Sequence, residues 1–98
     1  MGDLAELLES CPGLHPAAPQ KGYTRVKWRE SRPRADRIRV RGHTCDCQPI
    51  VYELCQAGGL RFIRRYYRSD KVLIQESEWT CAAEAEQLWM KILLGQAR

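Results

Sequence analysis

Between Tyr23 and Arg41 basic and apolar side chains alternate almost one for one, and this period of two constrains the fold more than any other feature of the chain. In a β-strand successive side chains point to opposite faces, so an alternating segment buries one row and exposes the other. In residues 23–30 Thr24, Val26 and Trp28 make the inward row, and Arg25, Lys27 and Arg29 the outward row. In residues 37–41 Ile38 and Val40 point inward, and Arg37, Arg39 and Arg41 outward. A polar loop over residues 31–36, with Arg32, Pro33 and Arg34, joins the two segments. The pattern predicts an antiparallel hairpin with its cations on one face. Cross-strand neighbours sit about 5 Å apart, where like charges repel. An anion lying on that face would relieve the repulsion.

The remaining elements follow from local signals. Residues 42–49 are rich in turn formers and interrupt the strand pattern. Ala57-Gly58-Gly59 separates the apolar runs 50–56 and 60–68, and glycine supplies the positive φ that a tight hairpin turn needs. A short helix over 50–57 ended by Gly58 is the competing reading, but Ile50, Val51 and Tyr52 favour a strand. Residues 71–77 read as a further strand after the Ser69-Asp70 turn. Thr80 is a suitable N-cap for a helix of about four turns, with Ala85, Leu88, Trp89 and Ile92 on one face and Gly95 as its stop. Residues 3–10 can form a short helix behind Asp3, and Pro12, Pro16 and Pro19 make a linker-like stretch after it. The expected architecture is α+β: a four- or five-stranded, mainly antiparallel sheet packed against a C-terminal α-helix, with a short N-terminal helix. The division is residues 1–20, helix and linker, and residues 21–98, one domain. Trp28 and Trp89 are expected in the core, and Trp79 as a staple at the helix start.

Several function classes are excluded or disfavoured. At 44% hydrophobic and 29% charged residues the chain is globular in composition rather than disordered. No apolar run approaches the roughly 20 residues that cross a bilayer, and the acidic N-terminus does not read as a secretory signal. A cytoplasmic protein is expected. Five cysteines, an odd count, argue for reduced thiols over a disulfide framework.

The charge is unevenly placed. Residues 21–41 carry nine bases against two acids, and residues 61–71 five bases against one, between acidic flanks. The candidate anion-binding residues are Arg25, Lys27, Arg29, Arg32, Arg34, Arg37, Arg39 and Arg41 from the first block. Arg61, Arg64, Arg65 and Arg68 come from the second, where Phe62, Tyr66 and Tyr67 are interleaved. Arginines take phosphates and aromatics stack on bases, so nucleic acid is the first expected partner and an acidic protein the second. A solvated strand face, with arginine stems covering apolar surface, gives the same pattern. An interaction or homodimerising module is the alternative function, so a monomer or a homodimer is expected.

His43-x-Cys45-x-Cys47, with Cys55 and Cys81 later and Cys11 and His15 earlier, supplies zinc-type donors. In a straight strand residues i and i+2 lie about 6.6 Å apart, too far to share a metal without a bend. His43, Cys45, Cys47 and Cys55 are therefore candidates for a small structural zinc protein, while buried reduced thiols are the simpler reading. No glycine-rich phosphate loop, HExxH or GxSxG motif is present, and a thiol–imidazole pair at His43 has no third member. Neither catalysis nor a cofactor is expected.

Residues 60–95, two short strands leading through Trp79-Thr80 into an alanine-rich helix with Trp89, resemble the small sheet-plus-helix DNA-binding domains of the AP2 and integrase-arm kind. The resemblance implies a sheet lying against DNA with a helix packed behind it. It assigns no residue roles.

Overall fold

The computed structural model describes residues 13–32 and 37–98; the helix expected over residues 3–10 lies outside them. In chain order the elements are β1 (Arg29–Glu30), β2 (Arg39–His43), β3 (Ile50–Ala57), β4 (Leu60–Arg68), β5 (Val72–Glu76) and helix α1 (Ala82–Leu93). The strands form one antiparallel sheet in the order β1-β5-β4-β3-β2. A five-stranded antiparallel sheet with one C-terminal helix is thus the architecture the sequence led us to expect.

The β3–β4 hairpin is the spine of the sheet. Ala57 pairs with Leu60 across Gly58 and Gly59, and Gly58 takes φ +60. Residues 50–57 are strand, as the β-branched and aromatic residues at the start of the run favour. Register then sorts the side chains. Leu54 lies opposite Ile63, and both join Tyr52, Ala85, Trp89, Ile92 and Ala97 in the core beneath α1. The next pair, Cys55 opposite Phe62, joins Ala57 in a second cluster closed by Ile38 and Trp79. Phe62 and Ile63 are both fully buried, one in each cluster. Each such side chain contributes roughly 1.5–3 kcal/mol by leaving water.

Helix α1 buries Ala85, Trp89 and Ile92, the expected face. Its N-cap is Cys81, without a side-chain cap bond, rather than Thr80. Thr80 is held one step earlier, exchanging backbone hydrogen bonds with Arg61 at 2.8 Å in both directions. Trp79 is not a staple either. It stacks face to face on Phe62, with centroids 4.5 Å apart, and donates its indole N–H to Glu76.

The hairpin expected between residues 23–30 and 37–41 does not form. β1 pairs with β5 and β2 with β3, so the two basic segments lie at opposite edges with three strands between them. Only Arg29 and Glu30 of the first segment are laddered. Upstream, Thr24 bridges Ala97 of the C-terminal tail, and Val26 and Trp28 pack against the helix-side core. Ile38 packs with the other cluster, and Val40 is 45% exposed. Thr24 and Val40, expected inward, are thus exposed: alternation marks the more apolar row of an extended segment, and chooses neither the partner strand nor whether that row is covered. The pairing that forms also keeps the two cation rows from facing each other.

Candidate functional site: the cationic edges of the sheet

The four arginines of β4 are used within the fold. Arg61 pairs with Glu86 of α1. Arg64 Nε approaches Glu53 Oε1 to 3.1 Å, short of hydrogen-bond alignment, and its Nη2 donates to Cys55 Sγ at 3.4 Å. Arg65 donates to Gln75 Oε1 through Nε at 3.2 Å and through Nη2 at 2.5 Å, and lies over the Trp28 ring at 4.5 Å. Arg68 donates to the backbone carbonyls of Asp46 and Gln48, clamping the turn between β2 and β3. Period two explains the division: Arg61 and Arg65 share a face with Ile63, Arg64 and Arg68 the face with Phe62.

These contacts shape the local electrostatics. Burial pushes the Cys55 thiol up, and the Arg64 guanidinium offsets part of that rise. Burial likewise raises the Tyr52 hydroxyl, against opposing pulls from Arg65 and Arg98. Burial and the neighbouring Glu53 carboxylate both raise Tyr66.

The first block is arranged differently. Arg25 and Lys27 are exposed on the segment before β1, and Arg29 stands opposite Glu76 in the ladder. Arg32 meets Glu30 at 3.9 Å, but both side chains are about four-fifths exposed, so the pair adds little. Arg34 lies outside the described residues. At the opposite edge Arg37, Arg39 and Arg41 are all exposed. Arg39 faces Gln56, and the register shift between Val40 and Gly42 leaves Arg41 as the extra, outward residue of a bulge. Among the described residues no carboxylate pairs with these three.

The expected metal donors separate. His43 stands opposite Glu53 in the ladder, with its ring Nδ1 at 3.1 Å from the Thr44 carbonyl. Cys55 is fully buried in the Phe62 cluster. Cys45 and Cys47 come together at the turn after β2, where His15, a donor type noted in the sequence but outside the four metal candidates, places Nε2 at 3.2 Å from Cys47 Sγ. His15 is 32 residues from Cys47, so spacing along the chain gave no signal for it.

The sheet face opposite α1 is a mixed surface. It carries half-buried Glu53 and Arg64 beside the buried Glu76, with exposed Val72 and Ile74 on β5. Among the described residues no helix is long and apolar enough to cross a membrane. Comparison with protein-family models, with curated proteins and with solved structures finds no match, so the likeness to AP2 and integrase-arm domains stands on pattern alone.

Proposed function

We propose that this domain is a non-enzymatic binding module that takes an anionic partner, nucleic acid first, along the β2 edge. The observation that carries this reading is the exposed row Arg37, Arg39 and Arg41, with no acidic partner among the described residues. Guanidinium groups suit phosphate oxygens because their fork of donors matches them bidentately. Arg25, Lys27 and Arg32 at the far edge are a secondary set.

Three phosphate contacts to duplex DNA would give a slope of about −2.7 for log affinity against log salt. Fluorescence anisotropy with labelled duplex and single-stranded DNA and RNA measures this. The joint Arg37→Ala, Arg39→Ala, Arg41→Ala variant should remove most of the duplex slope, while Arg25→Ala with Lys27→Ala should leave most of it. Absence of binding to every probe at ~50 mM salt ends the nucleic-acid reading.

A second reading, self-association, is favoured by the other edge. Among the described residues β1 pairs with Glu76 and Gln75, Ser31 N–H reaches the Ile74 carbonyl at 3.1 Å, and beyond that contact Val72 and Leu73 of β5 are 59% and 52% exposed. An apolar strand edge of this kind is a template for pairing with another chain.

A further inference from the structure

We propose that His15 Nε2, Cys45 Sγ and Cys47 Sγ are ligands of a structural zinc(II) ion held between residues 13–15 and the turn that follows β2. These three donor atoms lie within 4.8 Å of one another. With Zn–S near 2.3 Å and Zn–N near 2.0–2.1 Å, donors of a tetrahedral site stand about 3.5–3.8 Å apart. The His15 to Cys47 separation is 3.2 Å, so modest adjustment of two exposed side chains completes the geometry. An imidazole and two thiolates are a soft donor set that suits zinc in preference to magnesium or calcium.

The backbone around these donors is fixed. Thr44 is fully buried and doubly tied to Tyr52: its N–H donates to the Tyr52 carbonyl, and its Oγ1 accepts the Tyr52 N–H, both at 2.9 Å. Leu14 forms a parallel bridge to Thr44 and accepts the Cys45 N–H at 2.7 Å. Gly13 allows this approach, since a Cβ there would lie 2.7 Å from Cys45 Cβ. The turn at Asp46-Cys47 supplies the bend that a straight strand lacks, and Arg68 holds its carbonyls. Gln48 Nε2 is 3.5 Å from Cys47 Sγ, placed to donate to a thiolate. Leu14 is 51% exposed and His15 is exposed, so apolar burial holds this segment only weakly and a metal would hold it better. The fourth position is not assigned among the described residues; Cys11, four positions before His15 in the sequence, lies outside them.

The same contacts are also what a simple thiol–imidazole hydrogen bond would show, and the test separates the two. The full chain is expressed with zinc, purified reduced and without chelator, and analysed for metal. The zinc-free chain is then titrated with cobalt(II). Stoichiometric zinc, a thiolate-to-cobalt charge-transfer band and the visible bands of tetrahedral cobalt are expected. His15→Gln and Cys47→Ser alter exposed residues, so the fold should survive, which circular dichroism checks. Each should weaken cobalt binding by at least ~10-fold. His43→Gln and Cys81→Ser should bind as the unaltered chain does. Substoichiometric zinc with no thiolate band overturns the proposal, as does undiminished cobalt binding in both ligand variants.

Discussion

Gly95→Ala is expected to destabilise the fold far more than its small size suggests. Gly95 is the left-handed residue after α1, at φ +75. The helix ends in a Schellman motif, with Gly95 N–H on the Ile92 carbonyl at 3.2 Å and Gln96 N–H on the Lys91 carbonyl at 2.7 Å. An alanine in that conformation costs roughly 1–2 kcal/mol. Its Cβ would also lie 2.3 Å from the Ala18 carbonyl oxygen and 3.1 Å from the Ala18 carbonyl carbon. Both are backbone atoms, so residues 17–20 must move away. That segment is tied to the helix end by Ala17 N–H on the Leu93 carbonyl and Gln20 N–H on the Gly95 carbonyl, at 2.9 and 2.8 Å. Losing both adds about 2 kcal/mol at ~1 kcal/mol each, for a total of about 3–4 kcal/mol. Gly22→Ala is the control: Gly22 has φ +80, but nothing lies within 4 Å of its Cβ position. It should lose only the conformational ~1–2 kcal/mol. Urea denaturation of both variants, at constant m, measures the difference. If Gly95→Ala falls within ~0.5 kcal/mol of Gly22→Ala, close below the resolution of additive effects, residues 17–20 do not bind the helix end as described.

Two further measurements follow from the sheet. Because the Cys55 thiol and Tyr52 hydroxyl are raised by burial, the unfolded chain releases these protons before the folded one, so stability should be full below about pH 8.5 and fall as pH climbs through about 8.5 and then about 10. Cys55→Ala should make the first part of that fall shallower in a urea series across these pH values, and an unchanged slope would remove the thiol as its cause. If β5 pairs with a second copy, sedimentation equilibrium should show a dimer that Leu73→Lys returns to monomer; a monomer at all concentrations rules out that use of the edge.

What the sequence made legible was local. Gly58-Gly59 between apolar runs specified the β3–β4 hairpin, because few residues other than glycine accept φ near +60. The face Ala85, Leu88, Trp89 and Ile92 specified how α1 docks, because 3.6-residue periodicity leaves one stripe to bury. The partner of residues 23–30 was not legible. Val26 and Trp28 are spaced for burial, but what covers them is set by the helix side of the sheet and a C-terminal tail about 70 residues away: Trp28 Nε1 donates to the Arg98 carbonyl across that gap. Thr80 shows the same limit, since an ordinary capping residue was taken instead by its backbone pairing with Arg61. His15 was not among the four metal candidates because its partner thiols lie about 30 residues away in the sequence.

The arginines show why residue counts overstate a basic surface. A cation in the interior of a sheet must be matched, since leaving it unpaired in partial burial is costly. β4 is the middle strand, and each of its four arginines has an internal acceptor. An edge strand obeys the opposite rule: charged side chains and a bulge there discourage pairing with other chains, and solvent meets their hydration needs. β2 has both devices, in Arg39 and Arg41, with Arg37 just before them, and in the shift between Val40 and Gly42. The row offered here as an anion site is therefore also what protects that edge from aggregation, and the two roles make different demands. Edge protection needs only charge, so lysines would serve as well. Phosphate recognition uses the bidentate fork of arginine. Replacing all three with lysine should leave solubility and stability unchanged and weaken nucleic-acid binding; equal binding would reduce the row to charge alone.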